Sequence, residues 1–434
     1  MNKKLLTFGI AFLMIAIVTA TTILFIFPYN PYHPPIADDV GSTQQGIQEV
    51  VNANNKFAFD LYYELEKSEQ GNLFYSPYSI STALAMTYEG AKGQTAEEIK
   101  SVFYFPENNL LRPNSAAICN EINKGNEDYE LRTGNALWAQ YNYQFLEDYT
   151  SRVEKYYGGK VANLDFASET EKSRQTINTF IEEQTNDKIN DLIPPGVLSP
   201  MTRLVLTNAI YFKGTWEWEF DKSDTNDQNF KITPTNVVNT KMMSMVPDEA
   251  RFNYADLEKL QILELPYKGE KVSMLILLPK QGEGYNFETG EVTYSDYTIE
   301  DLELSSENLN EYKAQMKETK LDSISLPKFE FDTKYFMEET LKEMGMSTAF
   351  SNVADFSGMD GTNKLYIGSV IHQAFIKVDE KGTEAAAATA VVMLERAVMQ
   401  SNFFRANHPF IFIIQEKETG NILFIGRVTD PTPK

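Results

Sequence analysis

Residues 410–426 read FIFIIQEKETGNILFIG and carry the clearest structural signal in the chain. Two runs rich in phenylalanine and isoleucine, residues that favour β-strands, flank a short polar stretch. This pattern predicts a β-hairpin that turns near Thr419, Gly420 and Asn421. Similar runs recur from about residue 200 onward, so we expect a large sheet in the second half of the chain.

Helical patterns dominate from the start of the predicted domain to about residue 190, beginning with GIQEVVNANNKFAFDLYYELEK at 46–67. Thr95 and Glu98 have the spacing of a capping box, which predicts a helix that starts near Thr95. The segment 281–305 is acidic and lacks Lys and Arg, so we expect a solvated surface insertion. Helices first and strands later predict an α+β fold with a large mixed or antiparallel sheet.

The composition excludes several classes of protein. The 434 residues carry a formal net charge of −22, which makes nucleic acid an improbable partner. One cysteine, Cys119, allows no internal disulfide. The three histidines, His33, His372 and His408, are scattered, and none lies beside a nucleophile-elbow motif. P-loop and H-E-x-x-H motifs are also absent, so we expect no metal site, no cofactor and no enzyme activity.

The N-terminus predicts a membrane segment. Residues 5–27 are uncharged and would span about 34 Å as a helix, enough for a bilayer core. Lys3 and Lys4 precede this run, so the remainder of the chain is expected outside the cytoplasm. Residues 1–28 are therefore interpreted as an uncleaved anchor, with a cleaved signal peptide as the alternative. Residues 29–45 form a linker that begins proline-rich, and residues 46–434 form one domain.

Five stretches, in order, resemble the serpin family over about residues 46–430. They are NLFYSPYSISTALAMTYEGAKGQTAEEI (72–99), DKINDLIPPGVLSPMTRLVLTNAIYFKGTWEWEF (187–220), LPKFEF (326–331), VIHQAFIKVDEKGTEAAAATA (370–390) and FRANHPFIFIIQEKETGNILFIGRV (404–428). The resemblance implies about nine helices, three β-sheets and a mobile reactive-centre loop at about 380–404. It also implies a serine protease inhibitor that acts as a suicide substrate, and we expect it to be a monomer.

The reactive loop contains EKGTEAAAATAVVMLERAVM at 380–399, which local propensity alone would make a helix. To enter a sheet as a strand, the loop must place every second residue on the buried face. With Thr383 inward, Ala385, Ala387, Thr389 and Val391 follow on that face, and none is charged or bulky. Ala386 and Ala388 lie on the outward face with Glu384. The segment is therefore interpreted as one that can become a strand of the sheet, with Glu380 and Gly382 at the hinge.

The resemblance also implies a position for the bait. In inhibitory serpins the cleaved residue lies at a fixed distance after the hinge glutamate, and counting from Glu380 reaches Arg396. The predicted cleaved bond is Arg396–Ala397, and an arginine there predicts a trypsin-like protease held as a covalent acyl complex. Because the following segment is slightly longer than usual in the family, Leu394, Glu395 and Met399 stay open as bait residues.

Further family positions imply a polar cluster under the sheet where it opens, formed by Ser76, Ser79, Asn208 and His372. Trp216 is grouped with this cluster as a residue under the loop's entry point. A non-inhibitory serpin, acting as a binding or chaperone-like protein, is the alternative function. Such members usually carry charged, proline or bulky hinge residues, unlike GTEAAAATA.

Overall fold

A computed structural model of the chain describes residues 36–124, 129–247, 249–285, 292–383 and 402–432. Nine α-helices lie in these ranges: α1 Gln44–Glu66, α2 Pro77–Tyr88, α3 Gly93–Val102, α4 Asn108–Asn123, α5 Glu147–Tyr157, α6 Thr170–Gln184, α7 Ser306–Gln315, α8 Glu338–Glu343 and α9 Ser357–Asp360. Three short 3-10 helices cover Lys222–Asp224, Ile299–Asp301 and Thr348–Phe350.

Seven strands form what we call the central sheet. They are β2 Tyr129–Thr133, β3 Ala136–Gln140, β4 Lys160–Leu164, β5 Leu204–Thr215, β15 Phe329–Phe336, β16 Ser369–Asp379 and β17 Gly382–Thr383. Their order is β15-β16-β17-β5-β3-β4, with β2 also paired to β5. Besides flanking β17, β16 and β5 pair directly in parallel, from Ser369 with Val205 to Ala374 with Ile210.

A second seven-stranded sheet, the C-terminal sheet, has the order β1-β20-β19-β10-β9-β8-β13. Its strands are β1 Leu73–Tyr75, β8 Phe252–Asp256, β9 Leu260–Pro266, β10 Val272–Pro279, β13 Lys317–Thr319, β19 Phe410–Glu416 and β20 Ile422–Val428. The antiparallel pairing of β19 with β20 confirms the predicted hairpin. Every residue of both strands is buried, which explains their continuous apolar sequence.

Two smaller sheets complete the described strands. The small sheet has the order β18-β14-β7-β6, with β6 Asn226–Thr233, β7 Asn236–Met245, β14 Ser323–Pro327 and β18 Phe403–Arg405. An antiparallel hairpin pairs β11 Gln281–Tyr285 with β12 Val292–Asp296. This hairpin lies in the predicted surface insertion, but Ile299, Leu302 and Leu304 are buried in the core, so the prediction was wrong for the end of that segment.

Both faces of the central sheet are covered. On β16, Ala374, Ile376 and Val378 belong to an apolar cluster shared with the C-terminal sheet. Ile371 instead packs in a separate cluster with Ile177 and Ile181 of α6. The alternation along β16 therefore gives the sheet an inner face toward the main core and an outer face under α6.

The capping-box prediction was wrong. α3 begins at Gly93, and the Thr95 hydroxyl accepts a hydrogen bond from the backbone N–H of Asp355 at 2.9 Å. Glu98 accepts from the backbone N–H of Thr348 at 2.7 Å. Both side chains join α3 to a distant segment, because tertiary partners compete with local caps for the same polar groups.

The predicted membrane segment 5–27 falls outside the described residues. Among the helices that the structure describes, none is long and apolar enough to cross a membrane.

Candidate functional site

The predicted reactive loop follows a turn, the predicted hinge, at one end of the central sheet. After β16 ends at Asp379, the chain turns back and β17 pairs with it, Val378 opposite Thr383. The other edge of β17 pairs with β5, where Thr383 lies opposite Gly214. Gly382 and Thr383 therefore already stand as a two-residue strand between β16 and β5.

Gly382 can only be a glycine. Its φ of +153° lies in a region that L residues rarely adopt. A Cβ atom at this position would lie 2.0 Å from the carbonyl oxygen of Gly214 and 2.8 Å from the Cα of Thr215. The close approach of the two backbones thus depends on the missing side chain.

Thr383 points to the inner face of the sheet. Only 1% of its surface is exposed, and its Oγ1 lies 2.7 Å from the hydroxyl of Tyr267. Tyr267 stacks on Trp216 with ring centroids 4.5 Å apart. Burial raises the pKa of Tyr267, so its hydroxyl stays neutral and can donate to Thr383.

Trp216 lies under this hinge and does not join the polar cluster with which the sequence grouped it. Its Nε1–H donates to the carbonyl of Asp379 at 3.1 Å, and its backbone N–H donates to the carbonyl of Lys381 at 2.7 Å. The indole therefore fixes the turn that leads into the loop.

Glu380 ties the same turn to the neighbouring strands. Its buried carboxylate accepts from Lys328 Nζ at 2.7 Å and from the hydroxyl of Thr225 at 2.9 Å. Burial by itself would raise the pKa of Glu380, but these hydrogen bonds favour the charged form and hold the pKa below its usual value. Glu380 is therefore charged at neutral pH, and its ion pair with Lys328 holds the turn against the neighbouring strand.

The polar cluster lies further along the sheet, where β5 and β16 pair directly. His372 stands opposite Asn208, and its Nδ1 is hydrogen-bonded to Asn208 Oδ1. The backbone N–H of Ser76 donates to His372 Nε2 at 3.1 Å, so Nε2 is unprotonated and Nδ1 carries the proton. Burial lowers the pKa of His372 to about 3, which keeps the ring neutral.

Sequence reasoning missed one member of this cluster, Asn135. Its Oδ1 accepts from Ser79 Oγ at 3.0 Å and from Asn208 Nδ2 at 2.5 Å. Asn208 Nδ2 also lies 2.6 Å from Ser79 Oγ. The partners of Asn135 are distant in sequence, so no local pattern predicts these contacts. The local sequence shows only that Gly134 and Asn135 separate two short strands.

Ser76 closes the cluster against the C-terminal sheet. Its hydroxyl donates to the carbonyl of Leu423 at 2.6 Å and accepts from the backbone N–H of Ser79 at 3.1 Å, as the N-cap of α2. Ser76, Ser79, Asn208 and His372 are all buried. The structure thus brings these four predicted residues together, and their buried polar groups form hydrogen bonds with one another.

Several predicted residues fall outside the description. Arg396, Ala397, the hinge alanines Ala385–Ala388 and the alternative bait residues Leu394, Glu395 and Met399 all lie in 384–401. Within the described ranges, no group of three or more histidine, cysteine, aspartate or glutamate side chains could hold a metal ion.

Comparison with known proteins places this geometry in a family. The family model described as Serpin (serine protease inhibitor) matches residues 52–431. The chain belongs to the serpin family. It is 44% identical over 394 residues to an uncharacterized serpin-like protein of Methanosarcina mazei, covering 89% of this chain and 88% of that protein. Human Serpin B3 is 40% identical over 408 residues, covering 89% and 100%.

A solved serpin structure confirms the predicted fold. Serpin48 of the insect Tenebrio molitor superposes with a TM-score of 0.74 at 32% identity, covering 89% of this chain and 99% of that chain. Serpins generally inhibit serine proteases and are not catalytic themselves, which agrees with the lack of a candidate catalytic site in the sequence.

Proposed function

We propose that this serpin is a suicide-substrate inhibitor of trypsin-like serine proteases, cleaved at Arg396–Ala397. The observation that carries the proposal is the position of β17, with Gly382 and Thr383 paired to β16 and β5 at once. A strand that has begun between two others can lengthen by continuing the same register.

The register of β17 with β16 and β5 gives the partners of each residue that would follow. Four residues beyond Thr383, Ala387 would stand between Ala374 and Ile210, which already pair with each other. Continuing to residue 392 would replace the six direct pairs of β16 with β5, from Ala374–Ile210 to Ser369–Val205. Insertion therefore replaces one ladder of backbone hydrogen bonds, between β16 and β5, by two ladders, one on each edge of the inserted strand. The result is a net gain of backbone pairing.

The side chains of the loop suit this path. Ala385 and Ala387 would face the inner core beside Ile376 and Ala374, where small residues avoid overpacking. Thr389 would stand between His372 and Asn208, whose contact the inserted strand must separate. A threonine hydroxyl at that point could accept a hydrogen bond from the Nδ1–H of His372, so the buried ring would keep a partner.

The proposed mechanism uses no catalytic group of the serpin. The protease serine attacks the carbonyl carbon of Arg396, the bond to Ala397 breaks, and the Ala397 amine leaves with a proton. The loop from Glu384 onward then inserts and carries the acyl-linked protease with it before water can hydrolyse the ester. Arg396 suits a specificity pocket that carries a carboxylate.

The test is to mix residues 36–434 with trypsin and separate the products on a denaturing gel. A stable adduct of higher mass, with a released peptide that begins at Ala397 by mass spectrometry, is the expected result. Cleavage without an adduct would favour the non-inhibitory alternative. A released peptide that begins after Leu394, Glu395 or Met399 would move the bait to that residue.

We also propose that the domain acts outside the cytoplasm, held by residues 5–27 or released after their cleavage. The uncharged run and the preceding Lys3 and Lys4 support this orientation. Expression of the full chain, followed by membrane fractionation and N-terminal sequencing, distinguishes the two forms. Full-length protein in the cytosolic fraction would refute both.

A further inference from the structure

We propose that residues 36–43, which we call the clasp, restrain the opening of the central sheet between β5 and β16. This inference rests on the proposed function, because the loop can enter only where these two strands separate. The clasp lies outside residues 52–431, the part of the chain that the family model matches. Its role must therefore be read from its own contacts.

The clasp is fixed to α4 through one asparagine. The backbone N–H of Ala37 donates to Asn120 Oδ1 at 2.8 Å, and Asn120 Nδ2 donates to the carbonyl of Ala37 at 2.9 Å. Asn120 Nδ2 also donates to Asp39 Oδ2 at 3.1 Å. Ala37 is only 3% exposed. A single side-chain amide thus satisfies both backbone groups of Ala37, as a neighbouring strand would elsewhere.

The same segment reaches two further helices. The backbone N–H of Asp38 donates to the carbonyl of Lys155 in the last turn of α5 at 2.7 Å. Lys155 Nζ also forms an ion pair with the Asp38 carboxylate at 2.8 Å. At the other end of the clasp, Thr43 is the N-cap of α1 and accepts from the backbone N–H of Gly46 at 3.0 Å. The clasp therefore connects the start of α1 to the end of α5.

One end of this connection belongs to the part of the domain that must move. To admit a strand, β5 and the strands beyond it, β3 and β4, must separate from β16. Only residues 158 and 159 lie between the end of α5 and the start of β4, so α5 moves with this group of strands.

The other end belongs to the part that stays with β16. The Nδ2 groups of Asn54 and Asn55 in α1 donate to the carbonyls of Ile422 at 3.0 Å and Gly420 at 2.8 Å. These bonds fix α1 to the β19–β20 hairpin of the C-terminal sheet. That sheet also carries β16, since the two share the apolar cluster of the inner face.

The clasp thus spans the two parts that separate when the sheet opens. Its contacts differ between the closed and the open sheet, which is what any restraint on opening requires. The middle of the clasp is accessible, because Val40 is 84% exposed and a Cβ atom at Gly41 would contact nothing within 4 Å. A single cut at this exposed turn would sever the connection and release the restraint.

The experiment is hydrogen–deuterium exchange of intact residues 36–434, measured by mass spectrometry. The informative amides are those of 205–210 and 369–374, where β5 and β16 pair directly. They should exchange about fivefold faster in Asn120→Ala, which loses the hydrogen bonds to Ala37. Asp38→Lys should act in the same direction, and adding Lys155→Asp should restore the slow exchange. Amides of the β19–β20 hairpin should not change.

Two further variants separate the restraint from general stability. Six glycine and serine residues inserted after Val40 leave the hydrogen bonds of the clasp in place but give the connection slack, so the same amides should exchange faster. Asp227→Lys is the matched control, because it breaks an exposed ion pair with Lys241 at 2.9 Å in the small sheet. It should leave these amides unchanged.

Unchanged exchange of the β5–β16 amides in the clasp variants would overturn the inference. An equal acceleration in the β19–β20 hairpin would do the same, because the clasp would then only stabilise the whole domain. Trypsin is the separate probe of the proposed function. If the unmodified serpin forms no adduct with trypsin, the proposed function has failed, whatever the exchange rates show.

Discussion

Charge reversal at Glu384 tests the register of the proposed insertion. Continuing β17 by one residue places Glu384 opposite Lys377 of β16 and Lys213 of β5, on the outer face of the sheet. Directly opposed side chains in antiparallel strands have Cβ atoms about 5 Å apart. Glu384→Lys would therefore replace two attractions by two repulsions in the inserted state.

The magnitude follows from the setting of these lysines. Lys213 is exposed, and Lys377 already pairs with Glu330 at 2.7 Å, so each interaction is that of a screened surface pair. Such a pair contributes about 0.5 kcal/mol, and reversal of two pairs changes the inserted state by about 2 kcal/mol. If most of this difference is present in the transition state, insertion slows about tenfold at low salt.

The assay is the insertion rate at saturating trypsin, followed by fluorescence energy transfer between a label on the protease and one on the serpin. The Glu384→Lys variant should insert about tenfold more slowly at 50 mM salt and close to the wild-type rate at 1 M salt. The additional change Lys213→Glu should restore part of the loss. A Glu384→Lys variant that inserts at the wild-type rate at low salt would refute the register.

Three further predictions concern the hinge, the inserting strand and the polar cluster. Gly382→Ala should destabilise the hinge by several kcal/mol, about 3 or more, because its Cβ would meet the carbonyl of Gly214; limited proteolysis should show earlier cutting near residue 380. Ala387→Pro should turn the inhibitor into a substrate by removing a ladder donor, which raises the stoichiometry of inhibition, whereas Gln400→Pro beyond the cleaved bond should not. For His372, the folded pKa of about 3 lies below the ordinary value of 6.5, so stability is complete above about pH 6.5 and falls as the pH decreases toward 3. Relative to His372→Gln, the wild type should lose about 1.4 kcal/mol of unfolding free energy per pH unit in that window, and a difference independent of pH would contradict the buried neutral ring.

Part of the fold could be predicted because the signal is local. The β19–β20 hairpin shows itself in two apolar runs around Gly420, and the long helix α1 in its 3.6-residue periodicity. The short strands β2, β3 and β4 lie within the region that helical patterns dominate, and the sequence did not indicate them. All five residues of β3 are buried, so it lacks the alternation that marks a strand with one exposed face.

The candidate site also contains residues that could be predicted from the sequence and one that could not. The family resemblance was enough to predict a cluster of Ser76, Ser79, Asn208 and His372, which the structure brings together. Asn135 completes the cluster through contacts 56 and 73 residues away, which no local pattern encodes. Trp216 was grouped with these residues, yet the hydrogen bonds of its indole and backbone belong to the hinge.

The most direct measurement of the central claim, that the loop becomes a strand of the central sheet, is the melting temperature before and after cleavage of the loop. Papain, a cysteine protease, serves to cut residues 36–434 within the reactive loop, and mass spectrometry should confirm a cut between residues 390 and 400. If Glu384 to Val391 then insert between β16 and β5, the cleaved protein should melt at a clearly higher temperature than the intact protein. Cleaved Ala387→Pro should gain much less. An equal or lower melting temperature after cleavage of the wild type would contradict insertion.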